Sequence, residues 1–319
     1  MITFYTDGGN KVGLGHLIRS INLALTFKEK KTFIIYKKKG DNDINFIKSF
    51  FDHEKIKLRI IYKNINNEFR IDKSKIIIFD HPNLSAQVIR SAKKFYKKTV
   101  VIDDENFLKK YECDLLINQN PYFRNLGYKI NKKTTKLFGS NYTILNNYKF
   151  TEKISDNRKT IKNVLLLFGG TDVNNFYNRI IPKLDRYKLY ISSANPFIKK
   201  KIKNLSHKKN VFFVNNFNLR EVLAKNNIDA VISCCGSTLY ELFSMKIPVL
   251  GFNCSKDQKN AFNYFSKNKS IIKSNLSSIK NDLKNLSKKK KRIIIKNSQE
   301  YFNIRGKYLI NKEVLKLLK

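Results

Sequence analysis

Short runs of β-branched and other apolar residues recur along the chain, separated by segments whose apolar positions fall at helical spacing. ITFYT at 2–6 reads as a strand, Gly8 to Leu14 as a loop, and Gly15 to Phe27 as a helix with Leu17, Ile18, Ile21, Leu23 and Leu25 available for its buried side. TFIIYK, RIIYK, KIIIFDH and TVVIDDE follow at intervals suited to strand–helix–strand units. These runs are continuously apolar rather than alternating, the pattern of strands covered on both faces in a parallel sheet. After CDLLINQNPYF and TKLFGSNYTIL a polar stretch extends from Thr151 to Asn163, and the pattern then starts again. The second series runs VLLLF, turn GGTDVNN, helix, KLYISS, helix, VFFVNNF, helix, AVISC, turn GST, helix, IPVLGF. The fold class expected is α/β, with two Rossmann-type parallel-sheet domains at residues 1–152 and 153–319 and a ligand cleft between them. The sequence does not say which half receives the last helix, roughly Lys307 to Leu318.

Composition supports a globular enzyme-sized chain: 319 residues, 42% hydrophobic and 13% aromatic. The formal charge is +39, from 64 Lys and Arg against 25 Asp and Glu, which raises nucleic acid, an anionic membrane or an anionic substrate as partner. The lysines, however, are spread along the whole chain, and the only dense run, SKKKKR at 287–292, reads first as a solvated helix face or loop. No specific nucleic acid partner is therefore expected, although a positive field would help attract a nucleotide diphosphate. Cys113, Cys234, Cys235 and Cys254 form no CxxC pair, so neither zinc nor a disulfide framework is expected, and reduced, buried thiols in a cytoplasmic protein are the default reading. MITFYTDGG lacks a basic region before an apolar stretch, which predicts no secretory leader. The most apolar region, Asp229 to Cys254, is interrupted by Gly236, Glu241, Lys246 and Pro248, so no membrane insertion is expected.

Four segments carry candidate chemistry. In DGGNKVGLGHLIRS, 7–20, a strand ends in a glycine-rich turn and enters a helix, an arrangement that lets backbone amides approach an anion. It is neither GxGxxG nor a Walker A loop. His16 lies in the first turn of that helix, with Arg19 three residues on along the same face. The positive helix end and a nearby cation both disfavour imidazolium, leaving a neutral ring able to take a proton; a histidine making only a structural hydrogen bond is the alternative. LLLFGGTDVNN repeats the strand–turn–helix logic, with Thr171 and Asp172 suited to capping, and reads either as a phosphate contact or as a tight connection. In SCCGSTLYELFSMKIPVL, Ser237 and Thr238 follow Gly236 at a helix start, and Glu241 one turn later could hold ribose hydroxyls or serve as a capping-box glutamate. In NCSKDQKNAF, Asp257 and Gln258 follow a strand end and are candidates for sugar hydroxyls or an ordinary polar loop.

Taken in order, DGGNKVGLGHLIRS, VIDDE, CDLLINQN, FGSNYTIL, LLFGGTDVNN, ISCCGSTLYELFSMKIPVL and DQ resemble the UDP-sugar hydrolases of pseudaminic acid biosynthesis, relatives of MurG-type glycosyltransferases with a two-domain GT-B fold. The similarity runs from residue 1 to about 265. The resemblance implies removal of UDP from a 2,4-diacetamido-2,4,6-trideoxy sugar by hydrolysis at the anomeric carbon, with no metal and no cofactor. His16 would be the base, with Gly9, Gly13, Gly15 and Arg19 around the approaching substrate. Gly169, Gly170, Gly236, Ser237 and Thr238 would surround the diphosphate and Glu241 the ribose. Asp257 and Gln258 would lie near the sugar and phosphates, and the backbone around Phe217 and Leu219 would face the uracil. His81, after Asp80, is a lesser candidate. Three departures from the family pattern, Pro82, Asn146 and Asp257, fall at positions facing the sugar and bear on which sugar is held. Two other readings compete: a GT-B glycosyltransferase passing the sugar to an acceptor, and a basic nucleic-acid-binding protein, which has no RNP, zinc or helix-turn-helix signature behind it.

Overall fold

A computed structural model describes residues 1–9, 12–36, 44–51, 56–61, 75–108, 110–146, 160–169, 172, 174–192, 198, 202, 209–214 and 218–319. The chain divides into two compact units, one formed by Met1–Asn146 with Phe302–Lys319 and the other by Asn147–Tyr301.

The first unit is built on a seven-stranded sheet: β1 (Ile2–Thr6), β2 (Lys31–Tyr36), β3 (Lys57–Ile61), β4 (Ile76–Asp80), β5 (Lys98–Ile102), β6 (Leu115–Asn118) and β7 (Thr135–Phe138). Their spatial order is β3-β2-β1-β4-β5-β6-β7, and every pairing is parallel. Helices α1 (Gly15–Ala24), α2 (Ile44–Ser49) and α3 (Ala86–Ala92) lie in the crossovers. Every residue of β4 is buried, Asp80 included, which is why its apolar run is continuous rather than alternating. Tyr5, Ile77, Phe79, Val88, Ile89, Val101 and Leu116 form one core, while Phe4 stacks on Phe33 at 4.9 Å. The chain winds outward from β1 in one direction and then resumes at β4 in the other. Successive loops therefore diverge at the carboxyl ends of β1 and β4, the switch point where open α/β sheets hold ligands.

The second unit repeats the plan with β8 (Asn163–Leu167), β9 (Lys188–Ser192), β10 (Val211–Val214), β11 (Ala230–Cys234), β12 (Val249–Phe252) and β13 (Ile272–Lys273), in the order β10-β9-β8-β11-β12-β13. All of these pairings are parallel too. Its described helices are α4 (Phe176–Ile180), α5 (Leu219–Lys225), α6 (Thr238–Ser244), α7 (Lys259–Lys267), α8 (Ile279–Lys284) and α9 (Lys288–Ser298). Val164, Leu166, Ile180, Ile191, Ile232 and Leu250 pack its core together with the rings of Phe168, Phe176 and Phe252. Here the switch point lies at the ends of β8 and β11.

The last helix, α10 (Gly306–Lys316), returns to the first unit. Thr143 Oγ1 accepts from the Asn303 amide at 2.7 Å, Lys307 Nζ donates to the Leu145 carbonyl at 2.9 Å, and Asn311 Nδ2 donates to the Thr26 carbonyl at 3.0 Å. Gly306 sits directly on the Thr143 backbone, where a Cβ would lie 2.6 Å from its nitrogen and closer still to its oxygen. Two expectations need correcting. Cys234 and Cys254 are joined in a disulfide, not reduced, and only Cys113 and Cys235 are free and buried thiols. A sequence separation of 20 hides this pair, but β11 aligns with β12 so that Cys234 faces Phe252, and two residues further on Cys254 has its Cα 5.6 Å away. The lysine run is only partly a solvated face: it opens α9 with Lys289, Lys290 and Arg292 exposed and Lys291 buried. Among the described residues no helix is long and apolar enough to cross a membrane.

Candidate active site

The loop after β1 is shaped by its glycines. A Cβ on Gly8 would lie 2.7 Å from the Cβ of Leu17, so only glycine lets the strand end rest on α1. Gly9 and Gly13 bond reciprocally through their backbones, each N–H···O at 2.8 Å, with φ of +141° and +79°, which side-chain-bearing residues rarely adopt. This pinch closes the loop and starts α1 at Gly15, so that His16 stands in its first turn.

His16 Nδ1 lies 2.7 Å from Asp80 Oδ1. Asp80, at the end of β4, is placed there by parallel pairing that sets it beside Thr6, the last residue of β1. Arg19 reaches the same carboxylate with both sides of its guanidinium, Nε to Oδ2 at 2.8 Å and Nη2 to Oδ1 at 2.6 Å, and Ser20 Oγ donates to Oδ2 at 3.3 Å. The remaining arm of Arg19, Nη1, binds Asp104 Oδ2. Burial alone would push the Asp80 carboxyl up, but the Arg19 guanidinium and His16 beside it hold it well below the usual carboxylate range. Burial likewise acts to lower Arg19, and Asp104 and Asp80 overcome it, so the guanidinium stays charged. An ionised Asp80 can only accept, so His16 Nδ1 must carry the hydrogen and Nε2 is left as the basic nitrogen. His16 keeps 29% of its side-chain exposure whereas Asp80 has none. A basic nitrogen on a half-buried ring, oriented by a buried carboxylate, is the geometry of a general base.

The structure turns one residue expected beside the substrate into the fold. Arg19 is 4% exposed and turned into the fold toward Asp80 and Asp104, so it positions His16 rather than facing ligand, and its charge is matched by two carboxylates instead of standing as a free cation beside the imidazole. His81 Nδ1 accepts from the Asn83 amide at 3.0 Å and its ring lies 5.1 Å from Tyr5. Asp80 and Asp104 were not singled out from sequence. The available signal was a carboxylate ending each of two consecutive apolar strands, IIIFD and VVIDD.

In the second unit, three loops meet at the carboxyl edge of the sheet. After β8, Gly169 has φ of +70° with open space where a Cβ would stand, and Asp172 accepts from the amides of Phe176 and Tyr177 at 2.7 and 3.2 Å, capping α4. After β11, Gly236 and Ser237 lead into α6, with Ser237 at the cap position making no side-chain cap bond, Thr238 exposed at the helix start and Glu241 in its first turn. After β12, Asp257 is exposed and Gln258 lies over Gly236, its Nε2 3.4 Å from where a Cβ would be. Asn174 Nδ2 donates to the Cys254 carbonyl at 2.6 Å and the Cys234–Cys254 disulfide ties the loops after β11 and β12 together. Leu219 opens α5 with its side chain buried. Gly170 and Phe217 lie outside the described residues. Among the described residues no group of three or more His, Cys, Asp or Glu could hold a metal ion.

No family model matches the chain. Over 306 residues it is 25% identical to an uncharacterized protein of Methanocaldococcus jannaschii, covering 88% of this chain and 60% of that protein, so it spans less than two thirds of that relative's length. Over 275 residues it is 24% identical to the UDP-2,4-diacetamido-2,4,6-trideoxy-beta-L-altropyranose hydrolase of Campylobacter jejuni, covering 83% of this chain and 96% of the hydrolase. The resemblance carried by the motifs therefore extends over most of the chain. Among solved structures, Acinetobacter baumannii MurG superposes with a TM-score of 0.66 at 10% identity over 99% of both chains. Staphylococcus aureus MnaA in complex with UDP gives 0.61 at 14% identity, over 100% of this chain and 97% of its own. At these identities the likeness is one of fold, and the fold is GT-B-like: two parallel-sheet α/β units.

Proposed function

From this GT-B-like fold with an oriented histidine in its first unit, we propose that the protein processes a UDP-linked sugar, and specifically that it hydrolyses a UDP-linked amino- or deoxy-sugar to UDP and free sugar. The observation that carries the reading is the contact between His16 Nδ1 and the buried Asp80, which makes Nε2 a base. The C. jejuni hydrolase, similar over 83% of this chain, supports the reaction class, and the UDP complex of MnaA supports the nucleotide.

In this reading His16 Nε2 takes a proton from water as the water oxygen bonds to the anomeric carbon. The bond from that carbon to the diphosphate oxygen breaks, its electron pair leaves with UDP, and the configuration inverts. The transition state is oxocarbenium-like, with negative charge growing on the diphosphate. Asp80 stabilises the imidazolium as it forms, and Arg19 keeps Asp80 in place. The second unit holds the nucleotide: the backbone and hydroxyls at Gly169, Gly170, Gly236, Ser237 and Thr238 take the diphosphate charge, Glu241 the ribose hydroxyls, the backbone at Phe217 and Leu219 the uracil, and Asp257 with Gln258 the sugar side. No step is routed through a metal.

The test is to incubate the protein with UDP-linked diacetamido-trideoxyhexoses and no acceptor, following UDP release. Release of UDP and free sugar, falling by roughly 10²- to 10⁴-fold in His16→Ala, is expected. Undiminished turnover in that variant refutes the assigned base. Turnover that appears only after an acceptor alcohol is added points instead to a glycosyltransferase, the competing reading.

A further inference from the structure

The segment VIDDE enters the resemblance without any role for its second aspartate. In the structure that residue, Asp104, stands just beyond β5, beside the carboxyl end of β4 and its Asp80. Its backbone is fixed from several sides. Asp103 accepts the amides of Glu105, Asn106 and Phe107 at 2.9, 2.8 and 3.0 Å together with the Tyr111 hydroxyl, forming a turn that holds the segment. Asn120 Nδ2 donates to the Asp104 carbonyl at 3.0 Å, and the Tyr128 hydroxyl donates to the Asp103 carbonyl at 2.7 Å. Among the described residues the Asp104 carboxylate is bound by Arg19 alone: Oδ2 accepts from Nη1, and Oδ1 is enclosed without a hydrogen-bond partner.

Arg19 links Asp104 to the base. Its Nε and Nη2 bind Asp80, its Nη1 binds Asp104, and Nη2 also lies 3.4 Å from His16 Nδ1. Because Nδ1 carries the hydrogen donated to Asp80, this last approach sets a cation beside an N–H, and it becomes more repulsive once the ring takes a second proton. Asp80 and Arg19 by themselves form a neutral pair that gives imidazolium little net stabilisation. Asp104 makes the group two carboxylates against one guanidinium, so a net negative charge remains to favour a proton on Nε2. It also takes the one arm of Arg19 that Asp80 leaves unused, so the buried guanidinium cannot turn away from Asp80 without giving up a second ion pair. The other acids and the second histidine at these strand ends are engaged elsewhere. Asp103 is held in its own turn, Asp7 Oδ1 accepts from the Gly8 amide at 2.7 Å, Glu105 Oε1 from the Tyr122 hydroxyl at 3.0 Å, and His81 Nδ1 from the Asn83 amide at 3.0 Å.

We propose that Asp104 is a positioning residue for the reaction: acting through Arg19, it fixes the Asp80 carboxylate against His16 and supplies the second negative charge without which Arg19 would cancel Asp80 at the imidazole. In this role it meets neither the substrate nor the reacting atoms. The inference rests on the reading of His16 as the base of a UDP-sugar enzyme and adds to it the residue that sets how strongly that base holds its proton.

The test is NMR titration of the four histidine rings in the wild-type protein and in Asp104→Asn, with the His16 signal identified by its loss in His16→Gln. In the Asp104 variant the amide carbonyl can still accept from Arg19 Nη1, so the contact is kept and the charge removed. The expected result is a His16 midpoint lower by about one pH unit, a roughly tenfold loss of proton affinity. A midpoint unchanged or raised overturns the proposal. Adding Arg19→Gln to Asp104→Asn removes the cation as well, and the midpoint is expected to return to the wild-type value or above it. A midpoint as low as in Asp104→Asn alone is the mark of a merely structural role and also overturns the proposal. Should Asp104→Asn lose its thermal transition, Asp104→Ser removes the same charge while keeping an acceptor, and the same outcomes decide. In the UDP-release assay, the acid limb of the pH profile is expected to move down with the His16 midpoint, and a limb that stays in place overturns the link to the reaction. The NMR titration needs no substrate, so a wild type that releases no UDP at any pH overturns the UDP-sugar reading while the His16 midpoints still decide what Asp104 does.

Discussion

Asp80→Asn removes a charge from a carboxylate that accepts four hydrogen bonds while keeping the side chain's volume. The wild-type carboxylate has no exposure and accepts from Arg19 Nε, Arg19 Nη2, Ser20 Oγ and His16 Nδ1. An asparagine offers one acceptor oxygen and sets an NH2 group against donors that have no other acceptor there. Arg19, 4% exposed, retains only Asp104 as a charged partner. Removing one member of a buried ion pair costs about 3–5 kcal/mol, and the surviving Asp104 contact sets the expectation at about 3 kcal/mol. For a unit of this size that lowers the thermal midpoint by roughly 6–12 °C. Circular dichroism melts at neutral pH measure it, and UDP release measured in parallel is expected to fall because His16 loses the acceptor that sets its tautomer. Because Asp80 is held below its unfolded value, the native state binds fewer protons than the unfolded chain as the pH drops. The stability Asp80 contributes is fully present above about pH 4 and is lost as the pH falls toward the depressed native value. Wild type and Asp80→Asn should therefore converge in acid. The double replacement Asp80→Leu with Arg19→Met is expected to regain much of the stability and none of the activity, since apolar side chains can substitute for a buried pair in packing but not in orienting a ring. A melting midpoint of Asp80→Asn within about 1 °C of wild type, with unchanged UDP release, refutes the assignment of Asp80 as the anchor of this site.

Four further outcomes follow from particular contacts. Gly8→Ala places a Cβ 2.7 Å from that of Leu17, so a shift of α1 of a few tenths of an ångström and a loss of about 1–3 kcal/mol are expected, with UDP release falling as His16 moves; a urea titration showing no change refutes it. Gly306→Ala meets backbone atoms of Thr143, which cannot step aside, so at least about 1–3 kcal/mol is lost in the same titration and α10 becomes susceptible to proteolysis; full resistance counts against the docking described. Burial pushes the thiols of Cys113 and Cys235 up to about 12, so neither reacts with a thiol reagent at pH 8 until the chain unfolds. Unfolded without reductant, the protein should titrate two thiols, and with reductant four; four in both cases refutes the Cys234–Cys254 bond.

Much of the fold is readable from local pattern. Runs such as IIIFD and VLLLF are uniformly apolar because both of their faces are covered, and the interruption by loops and helical periodicity announces parallel crossovers. The glycine loop before His16 is readable for a similar reason: a strand that runs directly into a helix needs residues that tolerate positive φ and close approach, and Gly9, Gly13 and Gly8 supply both. His16 could thus be picked out as a candidate base from fourteen consecutive residues.

Its partners could not. Asp80 is 64 residues away from His16 and Asp104 is 85 from Arg19, and nothing in either neighbourhood marks them as more than acids at strand ends. The cation expected near His16 is present but matched by two carboxylates, which arrive from other strands. Cys234 and Cys254 meet only because β11 and β12 align in one register, and the last helix belongs to the first unit because Thr143 and Lys307 find their partners there. By itself the sequence determined the elements, their parallel connection and the candidate for a base, since these follow from sterics and burial within a few consecutive residues. Only the tertiary structure decided what orients that base, which carboxylate oxygen is left without a partner and where the chain's end is bound, since these depend on the register of strands far apart in the chain.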